Sequence, residues 1–177
     1  MVREYMLGLG YTNLDIDKII NSYPVNELKE ESLLVKVKTN FKFLEELGYD
    51  KSDVINMTVG FPWLIAYDVN TLNKRFDYYV SLGDKKSKLL EITKRLPTMY
   101  GYSFNNINKK FSDLIKLGYT KDEVIKMSLR LPAIYSKSIE NIISKIELLK
   151  SFGYTEGQII KMTKNLPSIY RWYKKKV

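Results

Sequence analysis

Leu117-Gly118-Tyr119-Thr120-Lys121-Asp122-Glu123-Val124-Ile125-Lys126-Met127-Ser128-Leu129-Arg130-Leu131-Pro132 returns 35 residues later as Phe152-Gly153-Tyr154-Thr155-Glu156-Gly157-Gln158-Ile159-Ile160-Lys161-Met162-Thr163-Lys164-Asn165-Leu166-Pro167. Weaker copies run from Leu9 to Pro24, Leu47 to Pro62 and Leu82 to Pro97. All 5 prolines stand 14 residues after a glycine of the set: Gly10, Gly48, Gly83, Gly118 and Gly153. The steps between those glycines are 38, 35, 35 and 35. A period in this range means stacked supersecondary units that share one continuous core.

Each copy spells out its own structure. Thr120 with Glu123, and Thr155 with Gln158, read as capping boxes; Thr12 with Asp15 and Asp50 with Asp53 are looser versions. Val124, Ile125, Met127, Ser128 and Leu131 then fall at helical spacing, and Pro132 ends this helix A. The next residues are too few for a full helix and predict a 3₁₀ turn with an apolar pair facing inward. Those pairs are Leu64-Ile65, Met99-Tyr100, Ile134-Tyr135 and Ile169-Tyr170. Helix B, capped by Ser136 or Ser138, carries Ile139, Ile142, Ile143, Ile146 and Leu149, and ends at Gly153, where a left-handed residue is needed. The Schellman contact at that end pairs Tyr11 with Met6, Tyr49 with Leu44, Tyr119 with Leu114 and Tyr154 with Leu149. Repeat 3 departs, with Asp84 in place of the tyrosine, Lys85 at the cap position and Ser87 as a substitute cap.

The expected fold is therefore all-α: an α-solenoid of about five repeats in one domain over 1–177, with about ten helices. The repeats span about 10–47, 48–82, 83–117, 118–152 and 153–177. In repeat 1 the acidic segment from Val25 to Ser32 is expected to replace the apolar turn. Of 177 residues none is Cys or His, which excludes disulfides, thiol chemistry, Cys/His zinc sites and histidine acid–base catalysis. No run of apolar residues reaches membrane length, and since Met1 leads straight into the first repeat no presequence is expected. No catalytic cluster, metal site or cofactor loop can be read, so the chain is expected to be non-enzymatic and monomeric. Its expected location is the cytoplasm or nucleoid, with a mature organellar form as an alternative.

The joint phase of Leu-Gly, the Leu-Pro 14 residues on, the apolar turn and the next Leu-Gly resembles the repeat of the mitochondrial transcription termination factor (mTERF) family. The resemblance covers nearly the whole chain. It implies helix pairs with a short 3₁₀ helix, curved into a half-ring. It also implies binding of nucleic acid along a basic path, duplex DNA ahead of RNA, and a role in transcription regulation or termination.

Charge and repeat position suggest where. The net charge is +9, yet residues 1–50 hold 6 Lys/Arg against 9 Asp/Glu, leaving the excess of cations in the later repeats. Eight residues before the glycine stand Arg75, Lys110 and Lys145, after Asn40 in repeat 1, with Lys74 and Lys109 beside them. Two before the proline stand Arg95, Arg130 and then Asn165; Lys126 and Lys161 follow the glycine by eight, and Lys94 and Lys164 form another pair. Arg171 and Lys174 belong to a tail that mixes aromatic residues and cations. Rows of cations at the repeat spacing suit the regular phosphates of about 15 base pairs, taking about 10 Å per helix pair. Arg75, Lys110 and Lys145 form the leading row, expected to be solvent-exposed and to matter little for stability. Duplication also copies charges that bind nothing, so a protein-binding solenoid acting as a small regulator or inhibitor is the alternative.

Overall fold

The computed structural model describes residues 1–82 and 85–171. Gly83, Asp84 and Lys174, all singled out above, therefore lie outside the described residues. The described residues form helices and short 3₁₀ turns, with no strand. None of these helices is long and apolar enough to cross a membrane. The chain divides into two compact units, Met1–Gly101 and Tyr102–Val177.

The first unit holds α1 (Val2–Leu9), α2 (Asn13–Ile20), α3 (Glu30–Leu47), α4 (Lys51–Gly60), α5 (Trp63–Ala66), α6 (Val69–Ser81) and α7 (Lys86–Arg95), closed by a 3₁₀ turn at Pro97–Gly101. The second holds α8 (Phe104–Lys116), α9 (Lys121–Arg130), α10 (Ile139–Ser151) and α11 (Glu156–Asn165), with turns at Pro132–Ser136 and Pro167–Arg171. Equivalent helices stack: α2 on α4, α4 on α7, and α9 on α11, while α1 packs on α3. Burial follows the repeat. Leu64, Met99 and Ile134, the first of the apolar pair after the proline in repeats 2, 3 and 4, are 0 % exposed.

The local signals explain where elements begin and end. Thr12, Thr120 and Thr155 close full capping boxes with Asp15, Glu123 and Gln158, so aspartate serves at N3 as well. Asp50, Ser103 and Ser138 cap α4, α8 and α10. Helix ends at Gly48 and Gly118 need φ of 114° and 96°, a region costly for any residue with a Cβ. The Schellman bonds form as expected: the amides of Tyr11, Tyr49, Tyr119 and Tyr154 donate to the carbonyls of Met6, Leu44, Leu114 and Leu149 at 3.1–3.3 Å.

Three expectations are revised. Ser87 does not cap α7; it lies inside that helix, and Lys85 occupies the cap position without a side-chain bond. The acidic segment of repeat 1 does not replace the apolar turn. It contains a 3₁₀ turn at Val25–Glu27, and Val25 fills the buried position at 1 % exposure. Burying one apolar residue after the proline is what that turn is for; Glu27 ends the turn, and Glu30 and Glu31 open α3. In repeat 2 the turn is a short α-helix, α5, rather than 3₁₀.

Candidate nucleic-acid interface

The leading row of sequence-predicted cations points into the scaffold. Asn40, 1 % exposed, donates through Nδ2 to the carbonyls of Leu64, Ile65 and Tyr67 at 2.7, 3.0 and 2.7 Å. Arg75, its equivalent one repeat on, donates to the carbonyl of Tyr100 and lays its guanidinium 4.2 Å from the centre of the Tyr67 ring. Lys110 and Lys145 are each 8 % exposed. Burial lowers the pKa of the Lys110 ammonium, as expected of a cation withdrawn from water. The turn after each proline leaves carbonyls without a helical partner, and buried carbonyls need donors. Asn, Arg and Lys have N–H donation in common rather than charge. The row therefore serves stability in Asn40 and Arg75, correcting the expectation that it is a solvent-facing cation path of little weight in folding.

Other repeat-spaced groups also join one repeat to the next. Lys94 pairs with Asp53, which raises the lysine's pKa, and Lys164 pairs with Glu123 at 2.7 Å, which lowers the carboxyl's. Arg130 donates to the carbonyl of Asn165 at 2.6 Å, closing an open carbonyl at the end of α11. Deeper in, the phenol of Tyr11 meets Thr58, that of Tyr49 meets Thr93 and Tyr100, and that of Tyr119 meets Thr163 and Tyr170. Thr58, Thr93 and Thr163 spend their own protons on the carbonyls of Val54, Leu89 and Ile159 at 2.7–2.8 Å. Each threonine oxygen is thus left to accept from a tyrosine. Thr58, Thr93, Ser128 and Thr163 each stand ten residues after the repeat glycine, a polar recurrence on the apolar side of helix A that is the sequence signal for these contacts.

One side of the A helices faces solvent and carries cations. Lys126 and Arg130 stand one turn apart on α9, and Lys161 stands on the neighbouring α11; all three are exposed. With Lys164, Asn165 and Glu123, Lys126 and Arg130 line an open cleft of about 140 Å³. In the first unit, Lys94 and Arg95 end α7, and Lys85, Lys86 and Lys88 begin it, all exposed. Lys74 and Lys109 are exposed on α6 and α8, and Arg171 is exposed at the end of the last turn. The arrangement offers ammonium and guanidinium groups to phosphates on a rigid helical support. Among the described residues no group of acids is placed to hold a metal ion.

The sequence profile of the mTERF family matches residues 5–84 and again residues 70–177, so the two matches together run from Tyr5 to Val177. No curated protein matches the chain.

Proposed function

The chain belongs to the mTERF family of nucleic-acid-binding helical-repeat proteins, and on that premise we propose that it binds duplex DNA through the outer face of its A helices, in a role in transcription regulation or termination. Proteins of this family bind nucleic acid and are not enzymes. The observation that carries the reading is the exposed set Lys126, Arg130 and Lys161 on two stacked helices, with Lys164 beside them. Cations on rigid, regularly stacked helices match a duplex, whose phosphates also recur regularly, better than they match a flexible single strand. Contacts of this kind position a protein on the backbone and carry no base information, so the binding they provide is independent of sequence.

The test is a mobility-shift titration with duplex DNA, single-stranded DNA and RNA at several salt concentrations. Duplex DNA is expected to bind with an affinity that falls steeply as salt rises. No shift with any nucleic acid near physiological salt would overturn the proposal and leave a protein partner as the reading to pursue.

A further inference from the structure

The first unit carries a run of rings that the repeat itself does not require. Tyr23 stands edge-on to Trp63, with centroids 5.7 Å apart and planes at 74°. Trp63 lies 5.2 Å from Tyr67, with their planes at 35°. The Arg75 guanidinium covers Tyr67 at 4.2 Å. Phe61 flanks Tyr67 at 6.5 Å and is itself backed by Gly101, where an added Cβ would fall 2.8 Å from its ring. Tyr23 is 67 % exposed, and Trp63 and Tyr67 are half-buried, so the run is open to solvent along one side.

The sister repeats show that the turn closes without rings beside the proline, although at the position of Tyr67 repeat 3 also carries a ring, Tyr102. Before the proline, where repeats 1 and 2 have Tyr23 and Phe61, the others have Leu96, Leu131 and Leu166. After it, where repeat 2 has Trp63, they have Thr98, Ala133 and Ser168. Packing therefore accounts for an apolar residue at the first position and a small one at the second, and does not require the rings of Tyr23 and Trp63.

From this geometry we propose that Tyr23, Trp63 and Tyr67 form a stacking platform for unpaired nucleobases. The inference rests on the nucleic-acid reading above and adds to it a second contact, one that takes single-stranded or locally opened segments. Unpaired bases present free π faces to aromatic side chains, whereas bases within a duplex already stack on each other. Arg75 adds a planar cation at one end of the run, and exposed Lys74, its neighbour in sequence, can meet a phosphate. The nearby acid Asp68 is paired with Lys36 at 2.9 Å, which softens its repulsion of a polyanion.

The chain has 2 tryptophans, so Trp172→Phe leaves Trp63 as the only one. In that background, short oligo(dT) is expected to quench Trp63 fluorescence, and a blunt duplex is not. Tyr23→Leu with Trp63→Ala uses residues that sister repeats carry, which favours a folded variant, verified by circular dichroism. The pair should weaken oligo(dT) binding, read by anisotropy of labelled strands, about ten-fold or more, while duplex binding changes by less than about two-fold. Absence of quenching, an unchanged oligo(dT) affinity in the double variant, or quenching by a proline-rich peptide in place of the oligonucleotide would each overturn the platform. If duplex binding survives any of these results, the proposed function stands; if the parent protein binds neither nucleic acid, both fall.

Discussion

Raising the pH from about 10 to about 12 is expected to remove on the order of 5 kcal/mol of folding stability. The source is the buried phenols that join one repeat to the next. Burial pushes Tyr11 and Tyr49 each up to about 12, against the hydrogen bonds they share with Thr58 and Thr93, which pull the other way. Burial also raises Tyr119. A free tyrosine ionises near 10, so between about 10 and 12 the unfolded chain gives up phenolic protons that the folded chain keeps. The unfolded state then binds fewer protons, and stability falls with rising pH. The contribution is whole below the unfolded value and is lost as pH passes through the folded one. Each two-unit shift corresponds to about 3 kcal/mol. Urea titrations at stepped pH measure the effect. Tyr11→Phe with Tyr49→Phe should flatten the alkaline decline while costing about 1 kcal/mol per lost bond at neutral pH. An alkaline decline of unchanged depth in that double variant would show that these phenols are not its source.

Asn40→Ala is expected to cost about 2–3 kcal/mol, because it strips the donors that a buried amide gives to three carbonyls. The amide serves three carbonyls of the following repeat, those of Leu64, Ile65 and Tyr67, at a position 1 % exposed. Asn40→Asp keeps the size and removes the donors, so it should cost at least as much and adds a buried charge. For a chain of this length the loss from Asn40→Ala corresponds to a fall in Tm of roughly 4–12 °C, read by thermal denaturation. A Tm unchanged in both variants would mean that the turn carbonyls do not depend on this side chain.

The two predictions mark where sequence reading succeeded and where it stopped. The fold was legible because glycine and proline act locally: a left-handed helix end and a helix stop need no knowledge of the partner repeat. Capping residues are equally local, and Thr120 with Glu123 forms the box its spacing suggests. A row of side chains at the repeat spacing says that a position recurs, but not whether it faces solvent or the next repeat. Arg75, Lys110 and Lys145 read as a phosphate path by their charge. Asn40 at the head of the row was the available clue, since it shares their N–H groups and not their charge. The two smaller rows divide by their contacts. Lys94 and Lys164 reach acids one repeat back, whereas Lys126 and Lys161 sit on the outer side of the A helices. The surface formed by Tyr23, Trp63 and Tyr67 is not legible in the sequence, because each ring is ordinary in its own repeat. Only folding brings repeat 1 against repeat 2 and joins them into one surface.

The central claim is that the exposed cations of the A helices, and not the inward row, meet the nucleic-acid backbone. Its most direct test is the salt dependence of duplex-DNA affinity for the parent protein and for Lys126→Ala with Lys161→Ala. Both lysines are exposed, so the double variant should melt as the parent does. The account predicts weaker binding to all duplex sequences and a slope of log K against log salt that is shallower by about two units. A folded double variant with unchanged affinity and unchanged slope would contradict it.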